Sequence, residues 1–326
     1  MTPRRQCLLL AASAVLACQP AVSAGQALRL PPRSHDASGG TAIASMLSPL
    51  ARDAREDEVF RQIASGNVPP FLRTLVEVTD TARVGGTVRR VSYLVTPDYL
   101  ALGSDADYLL MPMTPLLAQR LADALGCSLP TRRMVDAIYA AAPLKLSPEP
   151  IPPGAAMVTV PVFSRHNEIV KAQRAAVLSG FPLGVLVAGH KKDVIISNLI
   201  RVGTRAATPS PVVIYGWHML DGAAIQPAYN GHGDTYADYS HGIRLVHRTV
   251  TIDGVPFDIA RVLADPDLYV LLSDEGVIPE ARYGAAPPRD SPAPGHRADD
   301  LRNVRGSSRR TATAIPQRRG ATPAGQ

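Results

Sequence analysis

The chain has 326 residues and is 46% hydrophobic, enough for one large domain or two small ones with a sizeable core. Its formal charge of +6 does not describe the folded part: eight arginines against three aspartates follow Gly284, and Arg4 and Arg5 stand at the start. The remainder is slightly negative, which excludes a nucleic-acid footprint.

Arg4 and Arg5 lead into an apolar run from Cys7 to Ala17 that is too short to cross a bilayer as a stable helix. Val22-Ser23-Ala24 then offers the small residues that a signal peptidase reads. Residues 1–24 are therefore expected to be a signal peptide, and the protein secreted or periplasmic. Val15-Leu16-Ala17-Cys18 leaves a second form open, a lipoprotein anchored through Cys18, and Arg4-Arg5 faintly resembles a twin-arginine signal. No later segment is apolar for long enough to span a membrane. Cys127 is the one cysteine of the folded region, so packing rather than a disulfide must hold the fold. It follows a helix end, a poor place for a thiolate, and reads as buried and inert.

Residues 25–40, rich in Pro and Gly, read as a mobile leader ahead of a domain over 41–284. Ile43, Met46, Leu47, Leu50, Val59, Phe60 and Ile63 predict one or two amphipathic helices over 41–65, stopped by Gly66 to Pro70. Residues 75–78 and 88–95 flank Gly85-Gly86 and predict a hairpin; 107–111 adds a strand. Thr114 as cap, Pro115 and Gly126 bound a helix over 114–125, and 131–142 reads as another. After a Pro-rich connection over 146–154, 157–162 reads as a strand and 164–178 as a helix capped by Ser164. Strands are expected at 184–189, 194–196 and 212–215, then a polar loop, then one long strand over 242–254. Residues 255–263 and 265–272 read as helical, and Tyr283 closes the domain. Residues 285–326 read as a disordered basic tail. Without GxGxxG or GxxxxGK[ST], nothing points to nucleotide binding. The expected fold is α+β, a single domain with a mixed or mainly antiparallel sheet and flanking helices.

The chemistry concentrates in residues 212–246, VVIYGWHMLDGAAIQPAYNGHGDTYADYSHGIRLV, which hold the only tryptophan and four of the ten tyrosines. His190, at a strand end before Lys191, Lys192 and Asp193, is a candidate base or anion ligand; a solvated turn is the alternative. His218 ends Tyr215-Gly216-Trp217-His218, where Tyr215 and Trp217 offer a stacking platform for a sugar or a cap on the core. Tyr239 or Tyr236 with His241 and Arg244 could do acid–base work, Arg244 neutralising a carboxylate, with Asp193 and Asp238 as orienters. His190, Asp193, His218 and His241 are also candidate ligands for zinc or another divalent metal, although no HExxH or HxH spacing is present. The plain alternative is that these polar groups knit loops together. His166 reads as a helix cap, His247 as a sheet-face residue.

Ser240-His241-Gly242-Ile243-Arg244-Leu245 resembles the active-site box of L,D-transpeptidases, the cell-wall cross-linking enzymes, where Ser-His-Gly-Cys-x-Arg follows an upstream histidine. His218 or His232 could take that upstream place; the nucleophilic cysteine is absent, and the thiolate is the nucleophile there. The resemblance covers this box alone and implies an exported, wall-directed protein. The expectation is an exported hydrolase or lyase acting on a glycan or cell-wall-like polymer, with His190, His218, His241, Tyr239 and Arg244 as catalytic candidates. Trp217, Tyr215, Tyr236, Lys191 and Asp238 are the substrate-binding candidates. The rivals are a non-catalytic carbohydrate- or wall-binding protein, and a basic tail that tethers the chain to anionic polymers.

Overall fold

In a computed structural model, residues 26–202 and 210–284 are described. The expected signal peptide and the expected basic tail lie outside them. Helices α1 (Gly40–Leu47) and α2 (Arg52–Ala64) bury Ile43, Leu47, Val59 and Ile63, the apolar positions whose spacing predicts them. β1 (Val76–Val84) and β2 (Thr87–Val95) pair in register from Val76↔Val95 to Val84↔Thr87 around Gly85-Gly86. β3 (Ala101–Gly103) and β4 (Tyr108–Leu110) make a small antiparallel pair. α3 (Pro115–Ala124) starts on Thr114, whose side chain accepts from Leu117 N. After β5 (Cys127–Ser128), α4 (Arg132–Ala141) starts on Thr131 in the same way. β6 (Leu144–Lys145), α5 (Val160–Ala176), β7 (Val187–Ala188) and β8 (Lys192–Val194) follow. The chain then forms β9 (Val212–His218), β10 (Ala224–His232), β11 (His241–Gly242), β12 (Val246–Ile252), β13 (Val255–Asp258) and α6 (Ile259–Ala264).

Two larger sheets share one core, beside the two-stranded pairs β3-β4 and β6-β7. The first is antiparallel, β1-β2-β12-β13, with β5 also on β12; the second, β10-β9-β8-β11, is mixed because β11 runs parallel to β8. The architecture is a single α+β domain, as expected. The chain passes between the sheets at Ile243-Arg244-Leu245, and the segment leaving β2 runs back along it: Thr96 N donates to Leu245 O at 3.0 Å and Leu100 N to Ile243 O at 2.8 Å. That pairing carries Asp98 and Tyr99 to the seam where the polar residues gather.

Several expectations are corrected. The leader is tied down from Gln26 onward: Leu28 is buried, and Arg33 donates to Asn67 Oδ1 and Gly103 O, both at 2.9 Å. Residues 157–162 are not a strand but a 3-10 turn running into α5, because Pro161 is tolerated in a first helical turn and Val160, Phe163 and Val170 bury at helical spacing. Ser164 therefore lies inside that helix and caps nothing. The run 184–189, buried from Leu186 onward, contributes only the short β7. The polar span is largely a hairpin rather than a loop: β9 continues to His218, and β10 alternates half-buried and exposed residues at a sheet edge, where Pro227 is tolerated. The long strand over 242–254 breaks at the seam into β11 and β12. Asp253-Gly254, at φ 50° and 85°, turns β12 back into β13, so 255–258 is a strand and only 259–264 is helix, with Asp258 as cap. Beyond it, 265–272 supplies only a 3-10 turn, Tyr269–Leu271. Tyr283, near the end of the described residues, is buried: its hydroxyl accepts from Val213 N at 2.9 Å and donates to Ile195 O at 2.7 Å.

Gly242 shows how tightly the seam is packed. A Cβ there would sit 2.5 Å from Tyr99 Cδ1 and 2.7 Å from Lys191 Cβ. Gly242→Ala should therefore lower stability by roughly 1–3 kcal/mol, the usual cost of overpacking. Urea denaturation measures it, and an unchanged midpoint would mean that the seam yields.

Candidate functional site

The polar residues sort into three groups around β8 and its neighbours. The first centres on His241. Parallel pairing sets His241 beside Lys192 on one face of the second sheet, and Trp217 lies one residue beyond Gly216, the partner of Lys192 on the other side. Lys192 Nζ stands 4.8 Å from the Trp217 ring centre. Trp217 has φ 55°, rare for a bulky residue, and follows Gly216 at φ 101°. Asp238 accepts from Ser240 N and Oγ at 2.8 and 2.6 Å and from the Tyr236 hydroxyl at 3.0 Å. Its Oδ2 is 4.0 Å from His241 Nε2. Tyr236 stacks on His232 with centroids 3.9 Å apart and lies edge-on to His241 at 5.7 Å.

His241 is 1% exposed, and neither ring nitrogen has a hydrogen-bond partner among the described residues. Burial pushes its pKa down to about 4 against the opposing pull of Asp238, so the ring is neutral at pH 7. Trp217 Nε1 is likewise buried and unpartnered. Burial, then Asp238, hold the Tyr236 hydroxyl protonated far above its ordinary range. Burial raises Asp238 itself, but His241 and the Ser240 hydrogen bonds outweigh it and keep the carboxyl below its ordinary value. The floor of this group is buried; His232, Tyr236 and Lys192 are half-buried and Tyr229 is exposed, so they form a rim that solvent reaches.

The second group contains His190, Asp193 and Arg244. His190 Nε2 donates to Asp98 Oδ1 at 3.1 Å, and its ring lies edge-on to Tyr99. The Tyr99 hydroxyl donates to Asp193 Oδ2 at 2.8 Å. Burial raises Asp193 to about 6, only partly offset by Arg244, whose Nε is 3.9 Å away. Arg244 donates to Thr96 O at 2.8 Å and Val187 O at 2.7 Å, and its guanidinium lies 4.4 Å over the Tyr99 ring. With 1% exposure and its fork spent on two backbone carbonyls, Arg244 is a strut of the seam rather than a hand for a substrate carboxylate. Lys191 joins this group to the first. It is 1% exposed, donates to Tyr239 O at 2.6 Å and His166 Nδ1 at 3.1 Å, and is pushed down to about 7 by burial. It is therefore no solvated turn lysine, and His166 is no cap but a buried partner held down to about 2 by burial and by Lys191. The Tyr239 hydroxyl bonds both Ile151 N and Ile151 O, a structural role.

His218 and Tyr215 form a third group with α4. Asp136 Oδ1 accepts from the Tyr215 hydroxyl at 2.8 Å and from His218 Nε2 at 3.1 Å, and Tyr139 stacks on the imidazole at 4.5 Å. The five catalytic candidates thus fall in different groups, and among the described residues no three His, Cys, Asp or Glu side chains form a group that could hold a metal ion. His190, Asp193, His218 and His241 are separated by their own partners.

Asp98, Tyr99, Asp136 and His166 are partners that sequence reasoning missed, and each lies far along the chain from the residue it serves. Cys127 is buried, and its thiol is pushed up to about 12 by burial, consistent with an inert residue. A cavity of about 720 Å³ lined by Cys127, Arg201, Arg248 and Arg282 shares no residue with the three groups. Its arginines already pair with Glu280, Asp123 and Asp258. Among the described residues no helix is long and apolar enough to cross a membrane. In comparisons with protein-family models, with curated proteins and with solved structures, the chain matches none.

Proposed function

We propose that this protein is an exported envelope enzyme that moves protons on a glycan or cell-wall-like polymer, with the His241 group as its acid–base centre. One observation carries the reading: His241 is a neutral imidazole with neither nitrogen hydrogen-bonded among the described residues, set beneath a half-exposed aromatic and cationic rim. At pH 7 a neutral imidazole is in the protonation state a base needs, and the Tyr236 hydroxyl beside it is in that of an acid. Hydrolysis through two carboxylates would need a free pair. Asp238, the carboxylate of this group, is engaged by Ser240 and Tyr236, so elimination by a lyase is better supported than hydrolysis. The signal-like start supports export, and the box around His241 supports a wall-directed role.

A second reading, a non-catalytic glycan binder, draws on the His232–Tyr236 stack with exposed Tyr229 beside it. The two separate on a panel of glycans and peptidoglycan fragments. For an enzyme, His241→Ala and His241→Gln should each lower turnover by about 10²–10⁴-fold, with circular dichroism unchanged. Saturable binding with no turnover by the unaltered protein on any of them would replace the enzyme by the binder.

A further inference from the structure

We propose that the His241 group binds a sugar carboxylate, a uronate residue of its polymer, through the Trp217 indole N–H and the Lys192 ammonium. The inference rests on the acid–base reading for its chemistry, though not for its binding.

The site holds a donor with no acceptor. The Trp217 indole offers only a donor, is 6% exposed, and has no acceptor among the described residues. A buried donor without a partner is costly to keep, and here it sits on a residue held at φ 55°. A strained backbone and an unspent donor on the same residue mark a place kept for a ligand. Lys192 brings the ammonium to that indole, 4.8 Å from the ring centre, and makes no ion pair among the described residues. His241, its register neighbour, adds a ring nitrogen. Asp238, the carboxylate whose charge acts on Lys192, is occupied by Ser240 and Tyr236 and does not neutralise Lys192 by contact. One ammonium with neutral donors matches a singly charged carboxylate better than a phosphate dianion. The adjoining His232–Tyr236 stack suits the flat face of a sugar ring.

A carboxylate held there acidifies the sugar's C5–H next to it. His241 takes that proton, and its electron pair forms the C4=C5 double bond. The C4–O bond breaks, and the leaving oxygen takes a proton from the Tyr236 hydroxyl, which turns from Asp238 to reach it; the proton on His241 then returns to Tyr236 through solvent. No oxidant or metal enters the balance.

Because Trp217 is the only tryptophan, its fluorescence reports the site directly. The mature protein is titrated with oligogalacturonate, oligomannuronate and methyl-esterified oligogalacturonate, the last keeping the sugar and losing the charge. At least one free acid should shift the emission saturably and bind about tenfold or more tighter than the ester. Lys192→Met should remove that preference and Lys192→Arg restore part of it, while Trp217→Phe, followed by calorimetry, should weaken the acid more than the ester. Equal affinity for acid and ester, or an unchanged preference in Lys192→Met, would overturn the proposal. Ultraviolet absorbance of the new double bond separates the two levels. Carboxylate-dependent binding without that absorbance keeps the uronate site and sinks the acid–base reading. Turnover of neutral glycans with no preference for uronates keeps the acid–base reading and sinks the uronate site.

Discussion

Arg244→Ala is expected to lower folding stability by about 3–5 kcal/mol, the range for removing one partner from a buried charged network. The guanidinium fills the seam where the chain leaves one sheet for the other, and three things depend on it. Thr96 O and Val187 O lose their donors, the Tyr99 ring loses the cation that covers it, and Asp193 loses the positive charge 3.9 Å from its carboxylate. Lysine cannot replace it, because one ammonium cannot reach two carbonyls and lie over a ring as a planar fork does. Arg244→Lys should therefore recover only a minor part of the loss. Without its counter-charge, Asp193 should take up a proton at higher pH than about 6, its value beside Arg244. Asp193→Asn should accordingly cost less in the Arg244→Ala background than in the unaltered protein. Urea denaturation of the four proteins gives the double-mutant cycle. A loss below about 1 kcal/mol in Arg244→Ala, with activity gone, would return Arg244 to the role of substrate ligand.

That prediction marks where reading the sequence stops. Thr114 with Pro115, and the apolar spacing of 41–65, are local signals, and the structure agrees with them to within a residue or two. Gly85-Gly86 between alternating runs fixes a hairpin by turn chemistry alone. Within the polar span, His241, Tyr236 and Asp238 do meet in space. Its role assignments needed distances. His190 looks like a free base at a strand end until Asp98, 92 positions earlier, is found against its ring.

Lys191 and Lys192 look alike in sequence and differ completely in space, because the chain entering β8 turns the first into the core and the second toward the rim. A one-residue choice of sheet face decides between a buried strut and a cation at the rim, and nothing in the sequence His190-Lys191-Lys192-Asp193 reveals it. The failed strand at 157–162 has a different cause. Val-Thr-Val-Pro-Val satisfies the period of a strand, and only the buried positions farther along, Phe163, Asn167, Val170 and Arg174, betray the helix. Arg244 is the sharpest case: an arginine near a histidine and an aspartate suggests a carboxylate ligand, and burial makes it a structural tether.

Acid should destabilise the protein early, with the stability maximum alkaline of neutrality. His241 and His166 are held by burial at about 4 and about 2, whereas unfolded histidines titrate near 6.5. Between those values the unfolded chain binds more protons than the native one, so stability rises with pH and is lost as pH falls below 6.5. Lys191, held at about 7 by burial against ~10.4 when unfolded, has the same sign from pH 7 upward. Asp193 opposes them. Its folded value of about 6 lies above the unfolded ~3.9, so its ionisation costs stability as pH rises through that interval. Two histidines against one aspartate leave a net loss of roughly 2–3 kcal/mol from pH 6.5 to 5. His166→Asn combined with His241→Gln should flatten that acid limb, and Lys191→Met should flatten the rise above pH 7. Urea midpoints taken across pH 4.5–9 provide the test. An acid limb as steep in the double variant as in the unaltered protein would show that these buried rings open to solvent and protonate without unfolding the domain. The His241 nitrogens would then be no protected base, and the acid–base centre would lose its main physical support.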